Sequence, residues 1–84
     1  MFDFEKWKDQ NVCIHCKNEE EAQAFCEEMH IAGLKWKDGD DYIRFTGYSV
    51  YKENTVYIFN EGNAAGIDYA VKNGIQILEY SDWN

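Results

Sequence analysis

Between Asn18 and Ala32 the apolar positions recur at helical spacing. At about 100° per residue, Ala22, Phe25, Cys26 and Met29 fall in one arc, and Glu20, Glu21, Glu27 and Glu28 collect on the far side. The pattern predicts an amphipathic helix with an acidic outer face. Asn18 caps the free amides of its first turn, Glu21 sits three residues on as in a capping box, and the run Glu19 to Glu21 complements the positive end of the helix dipole. Gly33 closes the helix because it tolerates the left-handed backbone of a C-terminus.

Short apolar runs flank this helix: Val12 to Cys16 before it and Leu34 to Trp36 after it. In the second half, Thr55 to Phe59 reads as a β-branched and aromatic strand, Ala64 to Lys72 as a shorter helix stopped by Asn73 and Gly74, and Ile75 to Tyr80 as a last strand. Asp38 to Asp41 forms a turn, and Tyr42 to Phe45 extends or adds a strand until Gly47 breaks it; the pattern is weakest over 38–54. Two such halves predict a single α+β domain spanning residues 1–84. The expected architecture is a two-layer sandwich, an antiparallel sheet with two helices on one face, in ferredoxin-like βαββαβ order. Strand alternation turns Val12, Ile14 and Cys16 toward the helices and Cys13 and His15 away. The same rule turns Val56 and Ile58 inward and leaves Tyr57 and Phe59 on an open face suited to self-association. Phe25, Met29, Ile14, Val56, Ile58 and Ile77 are the expected core.

Composition narrows the partners. Eight Lys and Arg against sixteen Asp and Glu give a net charge of −8, which disfavours nucleic acid and anionic membranes, since binding to a phosphate backbone rests on cations that release counterions. A hydrophobic content of 45%, with 17% aromatics, separates the chain from disordered acidic tails. Nothing approaches the roughly 18 apolar residues of a membrane span, and the start Met1 to Trp7 lacks the pattern of a signal peptide, so a cytoplasmic protein is expected. Three cysteines, an odd number, read as reduced thiols.

Candidate chemistry is sparse. Cys13, Cys16, Cys26 and His30 have the residue types of a zinc site, but alternate strand positions send Cys13 and Cys16 to opposite faces and no glycine makes a knuckle between them, so no metal is expected. Cys13 and His15 share a face, as a nucleophile and base would, without a third group to orient them. Gly62, Gly66 and Gly74 do not form a phosphate loop. The combination of small size, negative charge and many aromatics favours a binding role. Carboxylates at Glu20, Glu21, Glu27, Glu28, Asp38, Asp40 and Asp41 would steer a basic partner, with Trp36 and Tyr42 as anchors.

The segments Val12 through Cys26, Gly33 through Trp36, Tyr51 through Tyr57 and Gly74 through Trp83 resemble a group of small phage and prophage proteins of Firmicutes, and the resemblance covers most of the chain. No catalytic or metal motif accompanies it. It implies a viral accessory product, a class that includes anti-CRISPR and anti-Thoeris inhibitors. The expected function is therefore a non-enzymatic inhibitor, without cofactor, that blocks a host defence or nucleic-acid-handling protein. The alternatives are a sponge for an anionic nucleotide signal, held between Trp36 and Tyr42 with Lys35, Lys37 or Arg44 on phosphate, and a cysteine-based zinc or redox module.

Overall fold

The computed structural model describes residues 1–83. The helix read from the sequence, α1, spans Glu19–Ile31, with Asn18 as its N-cap and Ala32 as its C-cap. The Glu21 amide donates to Asn18 Oδ1 at 2.8 Å, while Glu21 Oε1 accepts the Lys17 amide at 3.2 Å, so the capping box closes one residue upstream of Asn18. At the other end Gly33, at φ +83°, lets its own amide reach the His30 carbonyl and that of Leu34 reach the Met29 carbonyl, the paired bonds of a Schellman motif.

The remaining elements are β1 (Val12–His15), α2 (Tyr48–Tyr51), a 3-10 turn over Lys52–Asn54, β2 (Thr55–Ile58), β3 (Asn63–Gly66), α3 (Ile67–Lys72), β4 (Gln76–Glu79) and a final 3-10 turn over Tyr80–Asp82. The α+β class stands. The sheet runs β3-β2-β1-β4, and it is mixed rather than antiparallel: β1 pairs antiparallel with β2 but parallel with β4, Cys13 opposite Ile77 and Ile14 opposite Leu78. β2 and β3 form an antiparallel pair, so β3 and β4 point the same way from opposite edges and α3 is the crossover that joins them.

That crossover separates the two longer helices. Val12, Ile14, Cys16, Tyr57 and Phe59 pack with Ala22, Phe25, Cys26 and Met29 of α1. Cys13, Val56, Ile58 and Ala65 pack with Ala70 of α3, supported by Ile67, Ile75 and Ile77. The helices thus belong to clusters on opposite faces, not to one layer, and the side assignment for β2 is reversed relative to α1. No open face carries Tyr57 and Phe59 for self-association. The cause lies in the strand itself: every residue from Thr55 to Phe59 is buried, and alternation carries no information where both sides are apolar. Phe25, Met29, Ile14, Val56 and Ile58 are buried as expected, and Ile77 is half-buried.

Three local expectations change. Leu34 to Trp36 makes a single antiparallel bridge, Lys35 with Asp41, rather than a strand. Tyr42 to Phe45 forms turns leading into α2. The start of the expected helix at Ala64 belongs to β3, where Ala64 and Ala65 pair with Tyr57 and Val56; tertiary pairing overrides the helix preference of alanine, and the small residues of this strand admit neighbours, Gly47 beside Ala64 and Tyr51 beside Gly66. Among the described residues, no helix is long and apolar enough to cross a membrane.

Two substitutions test this account by urea denaturation. Asn18→Ala removes the cap of α1 and lowers stability by about 1 kcal/mol. Gly62 has φ +73°, and a Cβ there would lie 2.7 Å from the Lys37 amide nitrogen, so Gly62→Ala lowers stability by more than about 1 kcal/mol.

Candidate interaction surface

Most of the chemistry-bearing residues predicted from the sequence lie in the loop that follows α1. The Trp36 amide donates to the Asp40 carbonyl at 2.9 Å and the Gly39 amide to the Trp36 carbonyl at 2.8 Å, folding residues 35–41 into a tight hairpin that the Lys37 amide ties to the Gly62 carbonyl. Within it the carboxylates are occupied. Asp38 Oδ1 accepts the Asp40 amide at 2.9 Å, Asp41 meets Lys35 Nζ at 2.6 Å, and Asp40 lies 3.6 Å from Arg44 Nε. The hydrogen bond from Lys35, then its charge, holds the Asp41 carboxyl below the usual carboxylate range. Lys35, Lys37 and Arg44 face Asp38, Asp40 and Asp41 in equal number, so this loop is electrically balanced rather than acidic.

The aromatics of the loop have different environments. Trp36 is half-buried and donates its Nε1–H to the Phe45 carbonyl at 2.8 Å, and its ring lies 4.4 Å from that of Tyr42. Tyr42 is 0% exposed, its hydroxyl has no hydrogen-bond partner among the described residues, and burial pushes its ionisation well above the usual value. It is a core residue. A depression of about 280 Å³ beside Trp36 and Phe45 has Lys37 on its edge together with Asp38 and Asp40. An anionic nucleotide there would meet two carboxylates for one ammonium, and Tyr42 is not available to stack on it.

The four predicted glutamates of α1 divide into two pairs. Glu21 is buried against the Lys17 amide. Glu28 accepts the Phe2 amide at 2.6 Å through Oε1 and the Tyr80 hydroxyl through Oε2, pinning both chain ends to the helix. Glu20 and Glu27 are exposed, and neither joins an ion pair among the described residues. Next to Glu27 stands Ile43, with Gln23 and Thr46 completing a shallow cleft. Ile43 is 55% exposed and Phe45 is 52% exposed. Sequence reasoning missed both, because the run Tyr42 to Phe45 was expected to satisfy its apolar residues in a strand; the tyrosine turns inward and its apolar neighbours turn out.

The cysteines sit apart from this surface. Cys16 and Cys26 are buried in the α1 cluster, while Cys13 lies in the opposite cluster with α3. Among the described residues, no group of three His, Cys, Asp or Glu is placed to hold a metal. Nor is His15 available as a base for Cys13. Its Nδ1 lies 2.7 Å from Glu79 Oε1 and its Nε2 lies 2.6 Å from the Glu53 carbonyl oxygen, so the ring clamps β4 and the 52–54 turn to β1. A ring protonated on both nitrogens donates to both oxygens, whereas a neutral ring donates to only one.

Burial pushes the thiols of Cys13 and Cys26 up to about 11, Cys13 with a further contribution from the Glu79 charge, and Cys16 higher still. Folding therefore favours the protonated thiols. The stability contributed by Cys13 and Cys26 is full below pH about 9 and is lost as pH rises through about 11, so the urea midpoint should fall over that interval. Iodoacetamide at pH about 8 should leave the native protein unmodified and alkylate all three cysteines in urea, read by intact mass. Comparison with known proteins adds nothing to this geometry: no protein-family model, no curated protein and no solved structure matches the chain.

Proposed function

We propose that the protein acts by binding and blocking a partner protein through the surface where Glu27 of α1 adjoins Ile43, with Glu20 two turns away on the same helix face and Phe45 on the same loop as Ile43. The observation that carries this reading is the exposure of two large apolar side chains on one loop, one of them directly beside a free carboxylate. Exposed apolar residues next to unpaired charges of one sign suit a basic surface with apolar pockets: the charges speed encounter and the apolar groups hold the complex. The resemblance to phage and prophage proteins supplies the partner class in this proposal, a host defence or nucleic-acid-handling protein. The buried thiols, the engaged nitrogens of His15 and the balanced charge around Trp36 favour this reading over the redox, catalytic and nucleotide-sponge alternatives.

The charge-reversal test follows from the division among the glutamates. Glu20→Lys with Glu27→Lys should leave the fold intact, since exposed substitutions usually shift stability by no more than about 0.5 kcal/mol. Immobilised wild-type protein should capture a basic protein from a bacterial host lysate, with capture weakening as salt rises from about 50 to 300 mM, and the double variant should lose it. Ile43→Ser with Phe45→Ser should speed dissociation more than it slows association. A folded double-lysine variant that captures the same partner at unchanged affinity refutes the role of the acidic face.

A further inference from the structure

Another concave surface lies where the N-terminal segment crosses the end of α1. It is a groove of about 600 Å³, within the size range of binding pockets, with Phe2, Phe4, Leu34 and Phe59 lining its apolar floor. Its walls are fixed in advance. The Phe2 amide is held by Glu28, and Asn60 Nδ2 donates to the carbonyls of Trp7 and Gln10 at 2.9 Å each, so the segment is fastened to both the helix and the sheet end. Ile31 stands at the mouth and is 73% exposed, although it belongs to the last turn of a helix whose other large apolar residues are buried. The charge around the floor is predominantly negative: Asp3, Glu5, Asp9 and Glu28 line the groove against one cationic side chain, Lys8, and the α-amino group of Met1. The partners of Glu28 are a neutral amide and a neutral hydroxyl, which bring no compensating charge.

We infer that this groove docks a basic amphipathic segment of a protein, whose apolar side chains fill the floor and whose Lys or Arg residues meet the carboxylate rim. The rim decides between this occupant and a small amine. Asp3, Glu5 and Asp9 come from the N-terminal segment and Glu28 from α1, so cations distributed along a chain match them better than one ammonium would. Ile31 extends the apolar surface past the cavity, where a helical ligand continues and a small molecule ends. The inference rests on the partner-binding reading above for the protein nature of its ligand. It makes no use of Glu20, Glu27, Ile43 or Phe45.

The test uses three probes titrated into the isotopically labelled protein and followed by amide chemical shifts: an amphipathic Leu/Lys peptide, the same pattern as Leu/Glu, and octylamine. The Leu/Lys peptide should move the amides of Phe2, Phe4, Ile31, Leu34 and Asn60 and bind at least about tenfold more tightly than the Leu/Glu peptide. Ile31→Lys, which suits the negative end of the helix dipole and so leaves α1 intact, should weaken binding by about tenfold. Lys8→Glu should strengthen it by removing the one cationic side chain on the rim. The Glu20→Lys, Glu27→Lys variant should bind within roughly twofold of wild type. Shifts confined to the outer face of α1 would overturn the groove while leaving the earlier reading intact, and groove binding that survives the double-lysine variant after that variant has kept its lysate partner would uphold the groove alone. Octylamine binding where the peptide does not, equal binding of both peptides, or indifference to Ile31→Lys would each overturn the inference.

Discussion

The ring of Phe25 holds the α1 side of the molecule together. It meets Phe2 and Phe4 of the N-terminal segment, Tyr57 and Phe59 of the sheet, and Tyr80 of the last turn, all at centroid distances from 5.6 to 6.2 Å. From Tyr57 the aromatic contacts continue to Tyr42 and Trp36, and from Trp36 to Phe45 at the surface. One connected aromatic core therefore joins the groove at the N-terminal segment to the loop after α1. Truncating such a ring typically costs about 3–5 kcal/mol, a large part of what a small domain has to lose. Two of the concave surfaces depend on the same packing, since Phe2 and Phe59 line the groove at the N-terminal segment and Trp36 and Phe45 line the depression beside Lys37.

Carboxylates serve that architecture as well as the surface. Glu28 fastens the amide of Phe2 and the hydroxyl of Tyr80 to the helix, and Glu21 closes the helix start. Glu79 reaches across from β4 to His15, which in turn holds the 52–54 turn. A formal charge of −8 thus overstates the negative surface available to a partner, because several of the acidic groups are committed to donors inside the fold. What is left outward on α1 is a smaller set, Glu19, Glu20 and Glu27, and Glu27 has Ile43 rather than a basic residue beside it.

Legibility of the candidate surface followed the same division. Net charge and helical phase placed all four glutamates on the outer side of α1, and at that resolution they are equivalent. Glu21 and Glu28 differ from Glu20 and Glu27 only through what the rest of the chain brings to them, namely the Lys17 amide, the first residues and Tyr80. Trp36 and Tyr42 were both readable as aromatic anchors, yet the tyrosine is buried in the core and the tryptophan lies at its edge. Ile43 and Phe45 carried no visible signal of exposure, because an apolar run reads the same whether it is covered or not.

Local chemistry alone determined α1. Its cap, its buried stripe and its Schellman stop all arise from residues within a few positions of one another, and the structure reproduces its ends. The strands β1, β2 and β4 were also set by short apolar runs. Tertiary structure decided their arrangement: the parallel pairing of β1 with β4, the crossover through α3, the capture of Ala64 and Ala65 into β3, and the side on which Tyr57 and Phe59 are buried. The physical reason is that a strand buried on both faces has no polar alternation to orient it, and the pairing of sheet edges depends on residues that the local pattern cannot bring together.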